Sequence, residues 1–320
     1  MAAPPRFAEK LAHKLFADGE ERAAFLAALD PPGKRSPFAS CVLWRGDRPD
    51  PLPFECLPPL PWQPPFVDRL ADPAARPGAH PLHGAGEFYC LDFSSVFAAS
   101  ILGAIAGPVT TVVDLCAAPG GKSVFAWRSL RPDLLIANEA IGKRVPALLS
   151  NLRRCRIGPA AVTRCDPQAL APRLANVAEV VLVDAPCSGQ SLLAKGEANP
   201  GCFHPVNVNK NANRQKRILA HAAAIAAPGG YLAYTTCTYA IEENEGVCQW
   251  LCDRIGGFEP VPVPSLAMFQ SPLTDWPCYR MGPQSGLGAG AFAMLLRRTD
   301  RGDRAPVPLD FGAIATTAAP

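Results

Sequence analysis

From Gly86 toward the C-terminus, short runs of consecutive apolar residues alternate with longer stretches whose apolar positions recur at helical spacing. The runs Val109–Leu115, Leu134–Asn138, Ala161–Arg164, Val180–Val183 and Tyr231–Thr236 predict strands, with two late ones near Phe258–Val263 and Phe292–Leu296. Between them, helices are predicted over Lys122–Leu130, a stretch ending at Arg154, Asn211–Ala226 (closed by Pro228-Gly229-Gly230) and Glu245–Arg254. Such alternation predicts an α/β fold: a mostly parallel, Rossmann-like sheet with helices on both faces.

The first part of the chain has another texture. Helical stretches Arg6–Phe16 and Glu20–Leu29 precede a Pro-Pro-Gly break and a strand-like run, Phe38–Trp44. The proline-dense segment from Asp50 to Pro81 can supply neither a long helix nor a central strand. The expected organisation is a small N-terminal α+β region over residues 1–85, a main α/β domain over 86–300 and a flexible tail over 301–320.

In such a fold, ligands bind beyond the carboxyl ends of the strands, near the switch in strand order. Successive predicted strands run into Asp114-Leu-Cys-Ala-Ala-Pro-Gly-Gly-Lys122, Glu139, Asp166, Asp184-Ala-Pro-Cys-Ser-Gly189 and Thr235-Thr-Cys-Thr238. Their interiors are apolar and their ends polar or reactive, which locates one cleft. The Pro119-Gly120-Gly121 turn lets backbone approach a ligand and leaves helix N–H groups free. It matches neither the dinucleotide motif nor a P-loop. Glu139 is placed to accept hydrogen bonds from ribose hydroxyls and Asp166 to reach a base, so an adenosine-containing cofactor without a pyrophosphate is expected.

Composition narrows the class without choosing a partner. The 320 residues are 48% hydrophobic with a net charge of +3, and mean hydropathy is +0.07 with a pI near 8.3. No stretch approaches the roughly 18 apolar residues of a spanning helix, and residues 1–10 lack a signal-peptide core. A soluble, cytoplasmic, monomeric protein is expected, with no membrane partner. Basic clusters at Lys143-Arg144, Arg153–Arg156, Lys210–Arg217 and Arg297-Arg298 permit a nucleic-acid partner, yet also suit solvated helix faces. Twelve cysteines without paired CxxC motifs predict no zinc site and no disulfide framework.

Two of those cysteines stand apart. Cys187 and Cys237 end consecutive motif-bearing strands, and neighbouring parallel strands lie about 5 Å apart, so both sulfurs can open onto the cleft. Alone, each would be read as a small core hydrophobe. Position makes them candidates for thiol chemistry, and the residues leave open which one attacks.

Asp-Leu-Cys-Ala-Ala-Pro-Gly-Gly-Lys-Ser, Val-Asp-Ala-Pro-Cys-Ser-Gly and Tyr-Thr-Thr-Cys-Thr followed by Glu242-Glu-Asn-Glu245 closely resemble the Sun-type RNA (cytosine-5) methyltransferases, from about Gly86 to Arg298. Asn138-Glu139, Asn151-Leu-Arg-Arg, Gln215 and Pro228-Gly-Gly-Tyr add to the likeness. The resemblance implies the sheet of a class I S-adenosylmethionine-dependent methyltransferase, that cofactor, and an RNA partner, ribosomal first and transfer RNA second. It implies attack at cytosine carbon 6 by Cys237, product release by Cys187, a base contact by Asp184 and positive charge from Lys122. That Asp184 role needs a protonated carboxyl, raised by burial. Cys116, Ala117, Ala118, Pro119, Gly120, Gly121, Lys122, Glu139, Asp166 and Asp184 are the implied cofactor residues, with Arg144 near cofactor or RNA. Asn244 and Glu245 are read instead as a helix cap.

Some features depart from the family pattern. Phe38–Arg45 lacks an Arg-Val-Asn segment, Leu91-Asp92 replaces a Gln-acid pair, and Gly288–Phe292 lacks an acid and an aromatic. These bear on substrate docking. A catalytically silent RNA-binding or ribosome-assembly protein is the alternative, and a methyltransferase for protein or small molecules a further rival. Neither needs paired thiols.

Overall fold

A computed structural model describes residues 6–31, 36, 38–72, 74–308 and the backbone of 315–317. Part of the Pro-Pro-Gly break and the rest of the tail lie outside these. The chain opens with helices α1 (Arg6–Leu15) and α2 (Gly19–Ala28). Asp18 ends the link between them because its carboxylate accepts the Glu20 and Glu21 N–H groups. A three-stranded antiparallel sheet follows, built from β1 (Ser40–Trp44), β2 (Val67–Arg69) and β3 (Phe88–Asp92) in the order β2-β1-β3. Its last strand lies past residue 85, with the short helix α3 (Pro81–Gly84) just before it. Trp44 is buried in this sheet, its indole N–H donating to Asp68 at 2.7 Å, and Arg48 forks onto the same carboxylate.

Helix α4 (Phe93–Ala99), capped by Asp92, leads into the main sheet. There β4 (Thr111–Asp114), α5 (Gly121–Leu130), β5 (Leu134–Asn138), α6 (Val145–Arg154), β6 (Ala160–Thr163), α7 (Pro167–Leu170), β7 (Ala178–Asp184), α8 (Ser191–Ala194), α9 (Pro205–Ile225), β8 (Ala226–Thr236) and α10 (Glu245–Arg254) alternate. Short strands β9 (Phe258–Pro260) and β10 (Tyr279–Met281) then precede β11 (Ala291–Arg298) and β12 (Ala315–Thr317). The order is β10-β11-β8-β7-β4-β5-β6-β12, with β9 on β11. Strands β4 to β8 are mutually parallel, while β9 to β12 pair antiparallel. The chain steps outward from β4 to β6 and returns at β7, so the order reverses between β4 and β7.

Buried apolar residues cover both faces of this sheet. One cluster joins Val112, Leu135 and Leu182 to α4–α6 and the small sheet, and the other joins Val113, Val181 and Tyr234 to α9 and α10. Helices α1 and α2 form a third cluster on Phe203 and Tyr239, so the N-terminal pair leans on the loop after β8. Of the stretch 301–308, Arg304 reaches Glu179 and Thr110, and Ala305 N–H bonds Asn176. Among the described residues, no helix is long and apolar enough to cross a membrane.

Candidate active site

The turn after β4 is built around a buried acid. Asp114 accepts from Ser123 Oγ at 2.6 Å and from the Cys116 N–H at 3.2 Å. Burial pushes its carboxyl up to about 7 against those hydrogen bonds. Gly120, at φ 114°, takes a conformation closed to side chains and starts α5 with its first N–H groups uncapped by any side chain. Asn138 knots three strand ends: its amide donates to Leu115 and Cys165 carbonyls and its oxygen accepts from Thr163 and Cys165.

This turn divides a cleft into two hollows. One, of about 170 Å³, is lined by Cys116, Glu139, Arg144, Asp166 and residues of α9. The other, of about 180 Å³, is lined by Tyr89, Asp92, Ala117, Ala118, Pro119, Gly121, Lys122 and Asp184. Glu139 is buried; Oε1 accepts the Ile141 N–H, while Oε2 stands 3.1 Å from Arg144 and accepts no hydrogen bond. Arg144 also donates to the Ala118 carbonyl, bracing the turn. Asp166 is exposed at the rim, where it caps α7 through the Gln168 N–H.

The two thiols meet beside the second hollow. Cys187 Sγ and Cys237 Sγ are 3.2 Å apart. Cys187 is half-buried and Cys237 exposed. The Cys187 hydrogen bond, helped by the Lys122 cation and opposed by burial and Asp184, holds the Cys237 thiol below its ordinary range. Cys187 is pushed well above its own, by Cys237, by burial and by the Glu243 carboxylate. The two sulfurs are close enough to share a proton, and either can donate it. Lys122 is 2.8 Å from Asp184 Oδ2. Burial would lower its pKa, but Asp184 overrides this and holds it up.

Asp184 is less buried than expected. It is about a third exposed (34%), paired with Lys122, and accepts from Thr235 Oγ1 at 2.9 Å. The capping reading of Asn244 and Glu245 is also corrected. Asn244 makes no capping bond; it accepts from Thr236 Oγ1 and donates to the Thr238 carbonyl, pinning the Cys237 loop. Glu245 forks onto Arg280, which also donates to the Tyr239 carbonyl.

Sequence reasoning gave Glu243 no role. Its Oε2 accepts from the Ser188 N–H at 2.9 Å and from Gln215 Nε2 at 2.8 Å, and Gln215 donates also to the Pro186 carbonyl. Ser188 and Thr238 hydroxyls join the two cysteine loops at 2.7 Å. An acid inside the family-like Glu242–Glu245 run was the available signal.

The family departures are mostly internal. Cys41–Trp44 are buried in the central strand of the small sheet. Asp92 caps α4 and pairs with Lys195. The Gly290 N–H donates to Ser94, and Ala289 O accepts from the Tyr239 hydroxyl. Of the basic clusters, Arg154 fastens the His83 and Phe88 carbonyls, and Arg298 is tied to Asn176 and Ala226.

The model of one family, 16S rRNA methyltransferase RsmB/F, matches residues 107–292. The chain is 31% identical over 257 residues to ribosomal RNA small subunit methyltransferase F of Escherichia coli O17:K52:H18, covering 79% of this chain and 54% of that relative. It thus spans about half the length of the curated relatives it matches. Its fold is that of NSun6 from Pyrococcus horikoshii, solved with SFG (TM-score 0.75, 17% identity, 93% of this chain and 99% of that one). A methyltransferase homolog protein from Pyrococcus horikoshii superposes similarly (TM-score 0.71, 20% identity, 92% and 99%).

Proposed function

The chain belongs to the 16S rRNA methyltransferase RsmB/F family, and we propose that it methylates carbon 5 of a cytosine in RNA through a covalent Cys237 adduct. Ribosomal RNA is the first substrate to test and transfer RNA the second. The observation that carries this reading is the thiol pair at 3.2 Å beside Lys122 and Asp184, at the mouth of a cleft suited to a nucleoside. The residues fit S-adenosylmethionine: Glu139 Oε2 is a buried acceptor without a donor, suited to ribose hydroxyls. The Cys116–Gly121 turn offers backbone N–H groups, and Asp166 stands at the rim for the adenine. When bound, the cofactor supplies an electrophilic methyl group.

Carbon 5 of cytosine is too weak a nucleophile to take that methyl unaided. Cys237, as thiolate, forms a bond to carbon 6, and the double-bond pair moves toward carbon 5. Asp184 accepts a hydrogen bond from the base edge, while the Lys122 cation pairs with its carboxylate and balances the thiolate. A base then takes the carbon 5 proton, the C–H electron pair re-forms the ring double bond, and the carbon 6–sulfur bond breaks so that Cys237 departs as thiolate. We assign that base role to Cys187, as thiolate in the adduct. The base must be single-stranded or flipped out for such approach. We assign the N-terminal region to RNA docking, and place the protein in the cytoplasm as a monomer; thiolate addition supplies the activation without a metal.

The test is trapping. With cofactor and cytosine-containing RNA, Cys187→Ala accumulates a covalent RNA–protein adduct on a denaturing gel and Cys237→Ala forms none. Absence of an adduct in both, with no methyl incorporation by the unmodified protein, would favour the RNA-binding reading instead.

A further inference from the structure

A hollow beside the Cys237 loop is unused by the chemistry above. It encloses about 520 Å³ between α2, the turn Pro264–Phe269, the segment Met281–Gln284 and the two residues after Cys237, Thr238 and Tyr239. That volume lies within the range of small-ligand sites. Resting on the proposed RNA reading, we infer that it receives the purine base adjoining the target cytosine.

Three observations carry this. First, the wall is aromatic and already held in place. Phe269 is fixed by ring contacts to Trp62 and Phe97, and Phe16 by Phe25. Met268 stands 77% exposed. Extruding a base for attack unstacks its neighbour, and aromatic faces are the usual replacement stack for single-stranded RNA. Second, the charges reject a phosphate. Among the described residues, the one cation in the wall is Arg280, which is taken up by Glu245, whereas Asp18 and Glu21 are anionic. Third, the Gln284 side chain lines the same hollow. Its amide offers donors and an acceptor to a base edge, and a purine fills the aromatic wall better than uracil.

The test uses single-stranded RNA 12-mers carrying one central cytosine, with 2-aminopurine placed 5′ of it, 3′ of it, or four nucleotides away. On binding, fluorescence at one adjoining position is expected to change at least twofold, and the distant probe to stay constant. In parallel, an abasic site at that position weakens binding roughly tenfold, the loss of one base–aromatic stack. Gln284→Leu removes the preference for purine over uridine. Equal affinity for purine, uridine and abasic neighbours on both sides overturns the inference without relying on any variant. Methylation read on the same RNAs separates the two readings. Incorporation with no dependence on the neighbour sinks the cavity's role alone, and neighbour-dependent binding without incorporation sinks the proposed reaction alone.

Discussion

Removing Cys187 should make Cys237 harder to ionise. The two sulfurs lie within hydrogen-bond reach at 3.2 Å, and Cys187 is the neighbour that holds the Cys237 thiol down. A hydrogen bond to a charged group contributes about 1.5–3 kcal/mol, but S–H is a weak donor and Cys237 is exposed, so the low end applies. Since about 1.4 kcal/mol is a factor of ten in an ionisation equilibrium, Cys187→Ala should raise the Cys237 pKa and slow its alkylation below the midpoint about tenfold. The sign follows from which form loses support: the donor stabilised the thiolate, so without it the proton is retained to higher pH. The assay is the rate of iodoacetamide alkylation against pH. Mass spectrometry of the Cys237 peptide reads it, because the other cysteines among the chain's 12 react in parallel. An alkylation midpoint that stays put or moves to lower pH would mean that Cys187 is not the donor, and the division of labour between the thiols would reverse.

Asp184→Asn removes the anion that opposes Cys237 ionisation, so the alkylation midpoint should move to lower pH while methyl transfer falls at least a hundredfold; an unchanged midpoint contradicts the charge assignment. Glu243→Ala leaves the Ser188 N–H and the Gln215 amide buried without their acceptor and should cost about 3 kcal/mol in urea unfolding. Glu243→Gln keeps an acceptor oxygen and should cost under about 1 kcal/mol, so equal losses in the two variants would reject the hydrogen-bond account. Glu139→Ala removes the buried carboxylate of the first hollow, with its bonds to the Ile141 N–H and Arg144. It should weaken S-adenosylmethionine binding by calorimetry roughly tenfold.

How far the chain could be read without coordinates depends on the range of the interaction concerned. Strand β5 and helix α10 fall where periodicity predicts them, Leu134–Asn138 and Glu245–Arg254. Both are long enough to show their pattern. Helix α9 begins at Pro205, earlier than the predicted Asn211, because His204 caps it and Pro205 suits a first turn; its opening residues are too polar to display an apolar stripe. Strand β10, only three residues, has no pattern at all and exists through its pairing with β11.

The location of the cleft was determined by sequence alone, since parallel strands deliver their following residues to one edge of the sheet whatever their side chains do. Hence the turn after Asp114, Glu139, Asp184, Cys187 and Cys237 could be gathered before any distance was known. Only the tertiary structure decided how the charged groups and thiols are paired there. That Lys122 meets Asp184, that the two sulfurs come within 3.2 Å, and that Glu243 and Gln215 grip the loop between them depend on ångström separations between residues dozens of positions apart. The placing of α1 and α2 against the loop after β8 belongs with these. Local patterns report which face of an element is apolar, whereas electrostatic coupling and cavity shape arise only when side chains from different elements are brought into contact.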